Sequence, residues 1–177
     1  MIDDLYSARI LSLAANLPLS GRLGEAGPHG PHPGAGLRGT GEQVAKLCGS
    51  RAIVDIDLTP DGVSVQAFAQ DIRACALGQA AAALLGEQVI GATVAEVRAA
   101  RDALSAMLKS GGEGPTGRFE GLRALQVVSA YPARHASTLV AFDAATRAIE
   151  AALNPGATPS APQTPGPPSV DRVRRTG

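Results

Sequence analysis

The sequence predicts an α+β domain in which a three-stranded antiparallel sheet packs against four to five helices. Three observations lead there. Val54, Ile56 and Leu58 alternate with Asp55 and Asp57, the period of a strand with one face in water. After Thr59-Pro60-Asp61-Gly62, the alternation resumes at Val63, Val65, Ala67 and Ala69. Proline presets φ in that turn and glycine follows where the chain reverses, so the two runs form an antiparallel hairpin. The segments on either side carry apolar residues at helical spacing over lengths too great for strands.

The first helix is expected from about Asp3 to Leu17, with Tyr6, Ile10, Leu13 and Leu17 on one face. Asp3 and Asp4 suit the positive end of its dipole, and Pro18 ends it. Residues 21–41 are so rich in Gly and Pro that a loop is expected, carrying His29 and His32. The hairpin follows, with a short third strand around Asp71–Ala74. Residues 76–85 form a small-residue helix that Gly86 should stop. Thr93-Val94-Ala95-Glu96 has the form of a capping box and should open a helix to about Lys109, with Val94, Val97, Leu104, Met107 and Leu108 inward. Ser110–Pro115 is a loop, and a short helical segment near Phe119–Val127 follows. Pro132 fits the first position of a last long helix to about Leu153, burying Leu139, Phe142, Ile149 and Leu153. The folded unit is thus expected over residues 1–153. The Pro-rich stretch 154–177 is expected to be a disordered tail.

Composition narrows the function. The chain has 177 residues, 45% of them hydrophobic but only 3% aromatic, so its core must be built from Leu, Val, Ile and Ala. Sixteen basic and sixteen acidic residues cancel. A nucleic-acid binder would show a basic excess and stacking aromatics, and neither is present. No run approaches the roughly 18 apolar residues of a membrane span, and the acidic N-terminus lacks a signal-peptide pattern. A cytoplasmic protein is expected, with no nucleic-acid or membrane partner and with its cysteines reduced. The abundance of Ala, Gly, Pro and Arg fits a GC-rich bacterial genome.

The chain has two cysteines. Cys75 stands at the opening of an alanine-rich helix, where free N–H groups and the dipole stabilise a thiolate; Arg73 is close in sequence. The same position also suits a small buried hydrophobe among alanines. Cys48 lies between a loop and a strand, beside Gly49 and Ser50; taken alone it reads first as a plain loop cysteine, with a ligand as the alternative. His135 falls in the first turn of the last helix. A neutral imidazole there can ligate zinc or iron, or be satisfied by a backbone carbonyl. His29 and His32 sit in the Gly-Pro loop and are treated as incidental. Gly34, Gly36 and Gly39 spell Gly-x-Gly-x-x-Gly, but no predicted strand precedes them, so no dinucleotide site is read. Asp55, Asp57 and Asp61 are read as a solvated strand face and a turn. Ser137 and Thr138 near His135 lack the nucleophile elbow and orienting acid of a hydrolase.

Taken in order, these features resemble the iron–sulfur cluster assembly scaffold family, the IscU type, also found as the N-terminal domain of NifU. They are a helix, a loop, Cys-Gly before a hairpin, a second Cys opening a small-residue helix, and His-x-Ser starting the last helix. The matching segments are Lys46–Ser50, Asp71–Ala82, Ile90–Leu108 and Tyr131–Ala151 within residues 3–153. The resemblance implies a non-enzymatic scaffold for a nascent [2Fe–2S] cluster or iron, or zinc in its place. It also implies sulfur delivered by a cysteine desulfurase and transfer to recipient apo-proteins. It assigns Cys48, Cys75 and His135 as cofactor and metal ligands converging at one end of the fold. The family's third cysteine falls on Ala136 and its aspartate on Ser50. Both replacements lower the negative charge and the ligand count. A cluster-free interaction or regulatory module and a zinc-binding variant are the alternatives. The family's chaperone-recognition stretch is altered at residues 128–134.

Overall fold

The computed structural model describes residues 6–24 and 37–155. Asp3, Asp4, His29, His32 and the expected tail beyond residue 155 lie outside them. The order is α1 (Ala8–Ala15), β1 (Leu37–Ala45), β2 (Ser50–Leu58), β3 (Val65–Arg73), α2 (Ala76–Gln88), α3 (Val94–Ser110), a 3₁₀ segment (Gly117–Ala130) and α4 (Pro132–Leu153). The sheet is an antiparallel meander with β2 in the centre.

The fold class is as expected, but the strands are dealt differently. β1 was missed, because its last member of the Gly-rich run, Leu37 to Gly41, reads as loop. A Cβ on Gly39 would run into the Ala148 carbonyl and the Ala152 N–H, and one on Gly41 into the Ala144 carbonyl and the Ala148 N–H. These glycines let α4 lie directly on the strand backbone. Two strand residues advance about 6.7 Å and one helical turn about 5.4 Å, so Gly-x-Gly meets successive turns of α4. The third strand expected at Asp71–Ala74 is instead the end of β3, which runs unbroken from Val65.

The local rules otherwise hold. The β2–β3 turn closes through Gly62 N–H to the Thr59 carbonyl at 2.8 Å. Ser7 caps α1 by accepting from Ile10 N–H at 3.4 Å, and the helix ends at Asn16, ahead of Pro18. Thr93 and Glu96 make the full capping box of α3, and Gly111 closes that helix in the left-handed conformation at φ 69°. Pro132 occupies the first turn of α4. Gly86 does not stop α2, which continues to Gln88. There a side chain would meet Gln70 Nε2 and Pro18 Cγ, each 2.8 Å away.

The core joins Val54, Ile56 and Leu58 of β2 to the inner faces of α2, α3 and α4. Phe119 meets Phe142 edge to face at 6.0 Å and 78°, tying the 3₁₀ segment to α4. Asp55 and Asp57 do not face water: they are 3% and 4% exposed. β2 is the central strand, and arginine stems shield its second face. Arg22 Nε and Nη2 donate to the Asp55 carboxylate at 2.6 and 2.9 Å, and Arg38 does the same to Asp57 at 2.7 and 2.9 Å. Thr40 Oγ1 and Leu23 N–H add bonds to Asp55 at 2.7 and 3.0 Å. The strand-face reading failed because alternation reports sidedness and not what covers the second side.

Candidate functional site

Three elements meet at one end of the sheet. The β1–β2 hairpin turns through Lys46–Gly49, with Gly49 N–H donating to the Ala45 carbonyl at 2.9 Å and Gly49 at φ 69°. This tight turn holds Cys48 at the surface, two residues before buried Ser50. At the far end of β3, Cys75 is the N-cap residue of α2. The first turn of α4 supplies the third wall.

Gly78 governs how closely α2 and α4 approach. A Cβ there would stand 2.6 Å from the Ser137 carbonyl and 2.7 Å from Ala74 Cβ. The bare backbone lets the two helix starts touch, and Cys75 Sγ reaches Ser137 Oγ at 3.5 Å. Ser137 Oγ in turn donates to the Arg134 carbonyl at 2.9 Å.

The result is an open pocket of about 410 Å3. It is lined by Cys48, Gly49 and Ser50 from the β1–β2 hairpin, by Arg73, Ala74, Cys75 and Gln79 from the end of β3 and the start of α2, and by Arg134 of α4. Cys48 Sγ donates to Ser50 Oγ at 3.1 Å. When the thiol ionises, that hydroxyl can turn and donate to the sulfur. The Ser50 contact is the chief reason the Cys48 thiol is held below its ordinary pKa; slight burial opposes it, while Ser137 and the Arg134 charge assist. Ser137 therefore stands next to both sulfurs.

His135 does not join them. Its Nε2 lies 3.1 Å from the Val128 carbonyl and 3.3 Å from that of Ser129, anchoring α4 to the 3₁₀ segment. Among the described residues no three His, Cys, Asp or Glu side chains are grouped to hold a metal. Of the three residues expected to converge, Cys48 and Cys75 line the pocket and His135 does not. The reason is helical geometry: successive residues turn by about 100°, while residues three apart share a face. Arg134 lines the pocket and Ser137, buried one turn on, meets Cys75 behind it, so His135 between them is turned to the neighbouring carbonyls and Ala136 to solvent. The sequence reading missed Arg134 and gave Ser137 no role. The i, i+3 spacing would have found them once Ser137 was known to meet Cys75.

The donor set has a clear chemistry. Two soft thiols suit iron or zinc. Ser50 adds a hydroxyl. Arg73 and Arg134 cannot ligate a metal, having no lone pair to give, but both attract anions. Two thiols amount to half of a tetrahedral donor set.

No family model matches the sequence, and no curated protein matches it. Solved structures do. The chain is similar to the N-terminal part of a nitrogen-fixing NifU-like protein from Brucella abortus, with 42% identity and a TM-score of 0.75 over 88% of this chain and 99% of that one. It is also similar to a candidate iron–sulfur cluster assembly scaffold protein of the SUF system from Fervidobacterium islandicum AW-1. That similarity is 20% identity and a TM-score of 0.68 over 83% of this chain and 98% of the other. A hypothetical protein, at 20% identity and a TM-score of 0.65, covers 84% of this chain and 98% of its own. The last two show the shared fold alone.

Proposed function

Because the chain belongs to the iron–sulfur cluster assembly scaffold family of the IscU type and the NifU N-terminal domain, we propose that it holds an iron–sulfur species as cargo and hands it on. The cargo is a [2Fe–2S] cluster or the iron that precedes it. Sulfur would come from a cysteine desulfurase, and apo-proteins would receive the product. The observation that carries this reading is the convergence of Cys48 and Cys75 on one open pocket.

Thiolates are the usual grip on iron–sulfur clusters. Cys48, already favoured as a thiolate by Ser50, and Cys75, at a helix N-terminus, would each bind iron. The guanidinium groups of Arg73 and Arg134 offset the negative charge that a thiolate-ligated cluster carries. Both cysteines sit on element ends beside an open mouth, which suits a cargo that must leave. Holding and transfer require no turnover chemistry from the chain. A ligand role for His135 would require its ring to leave the Val128 and Ser129 carbonyls.

Anaerobic reconstitution with iron and sulfide, read by visible absorption and iron and sulfide analysis, tests the proposal. The parent protein should gain a cluster, and Cys48→Ala and Cys75→Ala should each lose it. Variants that bind as much cluster as the parent would refute the assignment. The two-ligand geometry favours a second reading, a cluster-free module of the assembly machinery. It would be supported by a parent protein that captures a desulfurase yet holds neither iron nor zinc after reconstitution.

A further inference from the structure

The geometry points to a small thiol bearing a carboxylate as the missing half of the ligand set: its sulfur would bind iron, and its carboxylate would bind Arg134 and Arg73. This rests on the cluster-holding reading and names what completes the site.

Three observations converge. First, the pocket presents two thiols, and among the described residues no third His, Cys, Asp or Glu side chain is grouped with them. A cluster seated there leaves two iron positions for ligands from outside. Second, Arg73 and Arg134 line the same pocket, and neither pairs with a carboxylate among the described residues. Arginine binds carboxylates through a planar fork with paired hydrogen bonds, and it cannot itself ligate iron. Third, the cavity of about 410 Å3 lies within the range of about 300–1,000 Å3 typical of small-ligand pockets, which leaves room for a cluster edge and an acidic thiol.

A molecule with both groups answers both vacancies. Inorganic sulfide or water would complete the iron but leave the arginines unused. A second copy of this chain would bring two more arginines and no carboxylate to meet them, because no acidic residue lines the pocket. The stoichiometry balances without electron transfer when ferric iron and sulfide are supplied. Two ferric ions, two sulfides, two protein thiolates and two added thiolates form a core of net charge minus two, the two carboxylates of the added thiols each bring one further negative charge toward the arginines, and four thiol protons pass to solvent.

The test is anaerobic reconstitution of the full chain at matched thiolate concentrations of 3-mercaptopropionate, glutathione, 2-mercaptoethanol and cysteamine, read by absorption and native mass spectrometry. Half-occupancy should need about tenfold less of the carboxylate thiols than of the neutral or cationic ones, the effect of one charge-assisted contact. The native mass should show one chain, one cluster and two thiols. Arg134→Gln and Arg73→Gln should each erode the carboxylate preference, read as the ratio of half-occupancy concentrations of neutral to carboxylate thiols within each variant, and Arg134→Lys should retain part of it. Equal occupancy with all four thiols, or a mass of two chains sharing one thiol-free cluster, would overturn the inference while leaving the scaffold reading intact. No cluster with any thiol would overturn both.

Discussion

Gly41→Ala should be strongly destabilising for a single methyl group. The new Cβ would press on the Ala144 carbonyl and the Ala148 N–H of α4, a hydrogen-bonded pair of backbone groups, and would lie 2.9 Å from Arg147 Cβ. Against a carbon–carbon optimum of about 3.5–4.0 Å, even the Arg147 contact is short by at least about 0.6 Å. Backbone atoms cannot rotate away, so β1 and α4 must separate. Overpacking of this kind costs about 1–3 kcal/mol, and the severity here places it near the upper end. Alanine returns about 0.5–1 kcal/mol through its lower entropy loss in a strand. A net loss of about 2 kcal/mol lowers Tm by roughly 4–8 °C for a domain of this size. Thermal melts and urea titrations, with the m-value checked, measure it. Gly41→Val should cost more than alanine. A Gly41→Ala protein that melts at or above the parent temperature would refute the direct seating of α4 on the strand.

Three further outcomes follow from the same geometry. Burial alone would raise the Asp55 carboxyl pKa, but Arg22, Thr40 and the Leu23 N–H outweigh it and hold the group below the usual carboxylate range. A lowered folded-state pKa adds stability above the unfolded value of about 3.9, and that stability is lost as pH falls through the folded value. The gap in urea midpoint between the parent and Arg22→Ala should therefore be full at neutral pH and shrink below about pH 4; an equal gap at both ends would contradict the pair. Ser50→Ala should slow alkylation of Cys48 by iodoacetamide at neutral pH by severalfold, followed by peptide mass spectrometry, because the chief contact favouring the thiolate is gone. His135→Ala should lower stability by about 1 kcal/mol, the worth of one hydrogen bond, yet leave reconstituted cluster unchanged. Loss of cluster equal to that of the cysteine variants would instead make the ring a ligand.

Most of the helices were legible because their signals are local. The capping box at Thr93 and Glu96, the proline at the start of α4 and the Thr59–Gly62 turn each depend on a few neighbouring residues. β1 was not legible, because glycines chosen for contact with a distant helix look the same as glycines chosen for a loop. The two thiol positions could be read from their settings and from family resemblance. The direction of the His135 ring could not, since it depends on how α4 is rotated against the 3₁₀ segment and α2.

The sequence by itself determined an α+β domain with an aromatic-poor core, a β2–β3 hairpin, a capped α3 and two cysteines placed on element ends. Only the tertiary structure decided which side chains share the pocket. Close approach at Gly78 brings Ser137 to Cys75, the rotation of α4 presents Arg134 in place of His135, and burial in the central strand turns Asp55 and Asp57 from a wet face into paired charges. The physical reason is that each of these is a relation between segments far apart in the chain. Local pattern records how a segment folds, but the orientation of one segment against another is settled by packing.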